Sequence, residues 1–137
     1  MRGLPTDDPT LKPRQYRTFD YLKACDKDDL SSVDRSGCLA DVVKKLRVTL
    51  RSELQRQAAD DAEAEAQDPA GGKTGLERAQ ILKRNNARTQ KAWDAYFKAA
   101  CDAVAEKWEI SGGNGGAIAT GQCMVRMLVQ RINEVRG

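Results

Sequence analysis

The chain contains no histidine in its 137 residues. That removes the commonest general base, the Ser–His and Cys–His nucleophile pairs, and the commonest zinc ligand. Aromatic residues are scarce at 5%, and the apolar content rests on Leu, Val and Ala. Period-two runs of β-branched and aromatic residues are missing, so the pattern points to helices rather than to a sandwich or barrel. No stretch approaches the ~18 consecutive apolar residues needed to span a bilayer. The opening MRGLPTDDPTLKP lacks the apolar h-region of a signal peptide. CxxC motifs are also missing. The four cysteines, Cys25, Cys38, Cys101 and Cys123, are spaced by 13, 63 and 22 residues, which matches neither a zinc clamp nor a dithiol redox site. No metal or cofactor is expected. No residue is assigned a catalytic role, because paired carboxylates need a pocket and a separation that a sequence does not supply.

An even number of cysteines outside metal or redox spacing suggests two disulfides and an oxidising compartment. Combined with the missing h-region, this points to a processed mature chain. Pairing of sequence neighbours, Cys25 with Cys38 and Cys101 with Cys123, would staple two helical hairpins; the two other pairings stay open. The net charge of +3 is unevenly placed, with about −1 over residues 1–75 and about +4 over 76–137. That is too mild to indicate nucleic acid as a partner.

At this length one domain is expected. Residues 1–13, with Pro5, Pro9 and Pro13, read as an extended N-terminal arm, and residues 14–137 as a single helical domain. A short helix over 14–24 would present Tyr16, Phe19 and Leu22, followed by a polar connection over 26–37. From Cys38 to about Gln67 a long helix is marked by Leu39, Val42, Val43, Leu46, Leu50 and Leu54. Its end, AADDAEAEAQ, has helix formers but almost nothing large to bury. DPAGGKTG makes the break, and Thr74 with Glu77 would form a capping box for the next helix, 75–108. That helix carries Leu82, Asn86, Gln90, Trp93, Phe97, Cys101, Val104 and Trp108 on one face, with Asn86 and Gln90 indicating a networked polar patch. A last helix over 118–136 places Met124, Leu128 and Ile132 in register. The predicted fold is all-α: a small bundle dominated by two long antiparallel helices, with shorter first and last helices and two disulfides.

The most distinctive stretch is Gln90–Arg126, in which an aromatic-rich helix, the glycine-rich segment Ser111–Gly116 and a return helix are bracketed by Cys101 and Cys123. In this stretch TQKAWDAYFKAAC, then GGNGG, then C-x2-R resembles the core of LprI-type lysozyme inhibitor proteins. The matching elements are Cys25, Cys38, the spaced Leu46 and Leu50, Gln90 with Trp93, Tyr96 with Cys101, Gly112 and Gly113, and Cys123 with Arg126. The likeness covers roughly residues 22–136. The D-x-x-LN-x-x-Y element common in that family is replaced here by LADVVKKLRVTL, and the Ala/Glu extension with DPAGGKTG reads as an insertion. The resemblance implies a helical, disulfide-bonded bacterial protein that is periplasmic, secreted or membrane-tethered. It further implies a non-enzymatic role, binding a lysozyme or another peptidoglycan hydrolase. An interaction or immunity-type protein that meets another toxin or envelope component by a helical face is the alternative. A histidine-free enzyme is the third.

Several residues are candidates for such contacts. Ser111, Gly112, Gly113 and Asn114 would form a protruding loop that enters a partner's cleft, with glycine allowing close backbone approach. The same glycines also serve a plain helix C-cap and turn. Trp93, Tyr96, Phe97 and Trp108 are either a binding patch or, as is commoner at helical spacing, core. Arg84, Arg88 and Lys91 make a basic stripe with no stacking platform, and Asp60, Asp61, Glu63, Glu65 and Asp68 an acidic segment. Both read first as solvated helix faces.

Overall fold

Ser31 sets the start of the first long helix. Its hydroxyl accepts a hydrogen bond from the Asp34 N–H at 3.1 Å and its carbonyl accepts the Arg35 N–H at 2.9 Å, so it is a true N-cap. The computed structural model of the chain describes residues 15–67, 75–112 and 115–137. They form four helices: α1 (Thr18–Lys23), α2 (Ser32–Gln67), α3 (Gly75–Ser111) and α4 (Gly116–Arg136). The described residues contain no strand, so the all-α expectation holds. At 36 and 37 residues, α2 and α3 dominate in length, about 54 Å each at the usual rise. The proposed N-terminal arm, most of DPAGGKTG and the Thr74 cap lie outside the described residues.

Packing is organised by the shorter α4, which lies against α1, α2 and α3. Val125, Leu128, Val129, Ile132 and Val135 from α4 meet Leu39, Val42, Val43, Leu46 and Leu50 from α2, Phe97 and Cys101 from α3, and Tyr21 from α1. Gly121 lets α2 and α4 approach closely: a Cβ built there would sit 3.0 Å from the Leu39 Cβ. The helices are also locked covalently. Cys25 pairs with Cys38 and Cys101 with Cys123, at Cα separations of 5.6 and 5.7 Å, and no described cysteine is free. The neighbour pairing is thus the one adopted.

Polar groups fix the register where apolar ones do not. Arg131 on α4 is buried, and its Nε–H donates to Gln90 on α3 at 3.0 Å; its guanidinium also reaches Glu134 at 3.4 Å. Asn86 donates to Asp61 of α2 at 2.9 Å. The polar patch anticipated at Asn86 and Gln90 is therefore a network that ties α3 to both neighbours. Arg136 reaches Glu53 at 3.8 Å near the end of α4. Beyond that point, among the described residues, α2 and α3 continue as a two-helix arm without a third helix against them.

Three boundaries differ from the sequence pattern. Helix α2 begins six residues before Cys38 because Ser31 caps it, so the connection is shorter than 26–37. Helix α3 runs on through Ser111, and α4 begins at Gly116 rather than Ile118. In the first segment, Phe19 is not on the buried face: it is 62% exposed with the Lys23 ammonium 5.9 Å from its ring, while Tyr21 is buried. The helix starts only at Thr18, which leaves Tyr16 outside it. Tyr16 precedes it in extended chain, clamped by Asn133, whose side chain accepts the Tyr16 N–H at 2.7 Å and donates to the Tyr16 carbonyl at 2.8 Å.

Burial of Tyr21 has a pH consequence. Desolvation first, then the nearby Tyr16 and Asp20, push its hydroxyl well above the ordinary value of 10.0, with Arg136 opposing. A group with a raised folded-state pKa contributes stability that is complete below the unfolded pKa and is lost as pH rises through the folded one. Stability should fall above about pH 10, and Tyr21→Phe should remove that component. Urea midpoints at pH 8 and 10.5 check this; parallel declines in the two proteins would contradict it.

Candidate functional site

The α3–α4 turn is built around Trp108. The structure gives Gly112 a φ of +72°, the left-handed conformation that favours glycine and ends α3. At the far side of the turn, a Cβ on Gly115 would lie 2.9 Å from the Trp108 ring, and one on Gly116 3.3 Å from the Trp108 Cβ. These glycines give the indole its room: a side chain at either position would make it shift. They seat it, and it remains 39% exposed.

Two grooves flank this ring. One, of about 710 Å³, opens between the start of α2, the end of α3 and the start of α4; Ser36, Ala40, Val43, Ala105, Gly116 and Met124 are among its lining residues. The other, of about 520 Å³, runs between α3 and α4 on the opposite side of Trp108. Unburied apolar side chains also occur near the ends of the two helices, α2 and α3, that line the first groove. Ile110, two residues beyond Trp108, is 87% exposed, and Val33, one turn before Ser36, is exposed as well. Isolated surface hydrophobes are ordinary, but several at one end of a molecule beside an apolar groove mark an interaction surface.

The proposed loop residues fall on this end, with a change of role for one. Ser111 is the last residue of α3, and its hydroxyl donates back to the Lys107 carbonyl at 2.8 Å. It is capping its own helix and is not a free donor for a partner. Gly112 is exposed, and Gly113 and Asn114 lie outside the described residues. The aromatic cluster divides. Phe97 is buried, with Trp93 stacked on it at 4.9 Å between centroids and the Arg47 guanidinium 5.1 Å from its ring. Tyr96 is 66% exposed. Arg84, Arg88 and Lys91 lie on an exposed face of α3, apart from the Trp108 end. In the acidic segment, Asp60 pairs with Arg56 at 3.7 Å and Asp61 accepts from Asn86, so part of that charge is used within the molecule.

Val33 and Ile110 were not singled out by sequence reasoning. The available signal was an isolated Val in SSVDRSG and an isolated Ile between EKWE and the glycines, each without an apolar partner at helical spacing. Among the described residues no group of three or more His, Cys, Asp or Glu is placed to hold a metal, and no helix is long and apolar enough to cross a membrane. Compared with protein-family models, curated proteins and solved structures, the chain has no match.

Proposed function

We propose that this chain is an extracytoplasmic, non-enzymatic protein that binds a peptidoglycan-cleaving enzyme and occludes its cleft with the Trp108 end of the bundle. The observation that carries the proposal is the half-exposed Trp108 on the wall of the 710 Å³ groove, with Ile110 exposed near the end of α3 and Val33 in the first turn of α2. Aromatic anchors held rigidly at the centre of such a patch carry most of the energy in protein interfaces. Two disulfides support residence in an oxidising compartment. The resemblance of Gln90–Arg126 to LprI-type inhibitors supplies the class of partner. The contact then centres on the indole and its apolar surroundings more than on Ser111.

A second reading, contact through the side of the bundle with some other toxin or envelope component, is favoured by the exposed Tyr96 and Val48. The two separate by substitution. Ile110→Asp, at a position too exposed to matter for folding, is expected to weaken suppression of peptidoglycan lysis at least about tenfold, because a charge is placed in a desolvated contact. Tyr96→Ser should leave it within about twofold. The reverse pattern would transfer the function to the helical face, and unchanged suppression by Ile110→Asp would remove the Trp108 end from the account.

A further inference from the structure

We propose that the groove between α3 and α4 on the far side of Trp108 is a binding site for a small aromatic carboxylate. It is lined by Val104, Lys107, Trp108 and Ser111 from α3 and by Ala119, Gln122 and Arg126 from α4, and encloses about 520 Å³, within the range of small-ligand sites. This is a different surface from the apolar groove assigned to the protein partner, and the inference does not rest on that assignment.

Charge is the first reason. The groove has two cations, Lys107 and Arg126, and no acidic residue among those lining it. Both cations are exposed and neither forms an ion pair with a described carboxylate. Arg126 offers a planar fork suited to a carboxylate, and Lys107 a second, mobile point charge. The Gln122 amide adds a neutral donor. Ser111 adds none, because its hydroxyl is committed to the Lys107 carbonyl.

Shape is the second. The indole of Trp108 with Val104 and Ala119 forms an apolar wall, so an anion with a planar apolar body is matched at both ends. Offset stacking on the indole would contribute on top of area burial. A bare inorganic anion would leave that wall unused. A wholly apolar ligand would leave the two cations without a role.

Rigidity is the third. Val104, Lys107 and Ser111 follow Cys101 along one stripe of α3, while Ala119, Gln122 and Arg126 flank Cys123 on α4. The Cys101–Cys123 bridge thus joins the two helices that form the walls, one turn from Val104 and from Arg126. Cys101 is fully buried, with the Met127 sulfur 3.8 Å from its own. Walls pinned in this way need little ordering when a ligand enters, which favours affinity.

The test uses the full oxidised chain carrying Trp93→Phe, a change that preserves the ring stacked on Phe97, so that emission reports Trp108 alone. Titration with 1-naphthoate is expected to quench it saturably with 1:1 stoichiometry. The neutral 1-naphthalenemethanol should bind at least about tenfold more weakly, and a Lys107→Ala/Arg126→Ala double variant should lose naphthoate binding by a similar factor. Ala40→Gln, in the neighbouring groove, should leave it within about twofold. Both cations are exposed, so the double variant should keep its melting temperature, and near-ultraviolet circular dichroism checks that it does. Linear quenching without saturation, equal binding of the neutral analogue, or unchanged affinity in the double variant would each overturn the assignment.

Discussion

Leu128→Ala is expected to lower the stability of the folded chain by about 3–5 kcal/mol, the range for emptying a fully buried leucine site that cannot collapse. Leu128 is among the largest fully buried side chains, together with Leu46 and Ile132. It sits on the helix that touches all three others, so the cavity opens where the bundle is most tightly enclosed. For a domain of this size the loss corresponds to a fall in melting temperature on the order of 10 °C. Leu82→Ala provides the contrast. Leu82 is only half-buried and belongs to the arm where α2 and α3 run without α4. Its truncation should cost less than about 1.5 kcal/mol, since part of the site is already solvated. Chemical denaturation of the two variants checks the ordering. Equal losses would mean that α4 does not organise the core.

The second large effect concerns the cross-link at the Trp108 end. Cys101→Ala/Cys123→Ala releases a 22-residue separation and should cost about 3 kcal/mol by chain entropy, with further loss because Cys101 lies at the centre of the α3–α4 contact. Cys25→Ala/Cys38→Ala, across 13 residues, should cost a similar entropic amount. The two bridges should differ more in chemistry than in entropy. Cys38 is partly accessible whereas Cys101 is sealed, so mild reductant should open Cys25–Cys38 first. Mass analysis after timed reduction and alkylation follows the order. Opening of Cys101–Cys123 first would contradict the packing at that end. If the α3–α4 pair lacks this bridge, the walls of both grooves are free to separate, and binding at that end should suffer beyond the loss of stability.

Much of the fold was legible because helical periodicity is a direct record of which face is buried. Leu39, Val42, Val43, Leu46 and Leu50 stand out at three- and four-residue spacing, and all are core. Boundaries were less legible where caps compete with composition. SSVDRSG reads as polar connection, yet Ser31 with Asp34 three residues on is a capping arrangement, and the helix begins there. Tyr21 rather than Phe19 is buried because the face a short helix turns inward is set by how it docks, and the Asn133 clamp just before α1 is a contact 117 residues distant in sequence. The candidate site was legible as a location, the glycine turn between Cys101 and Cys123. Its content was not. A glycine run gives no indication that an indole is packed beneath it, and Val33 joins Ile110 and Trp108 only through the antiparallel pairing of α2 with α3.

The most direct test of the functional account is the lysis of a peptidoglycan suspension by chicken-type, goose-type and invertebrate-type lysozymes, each titrated with the oxidised chain. The account predicts stoichiometric suppression of one class and relief of that suppression by Ile110→Asp. Undiminished lysis by all three classes at a large excess of the chain would contradict it.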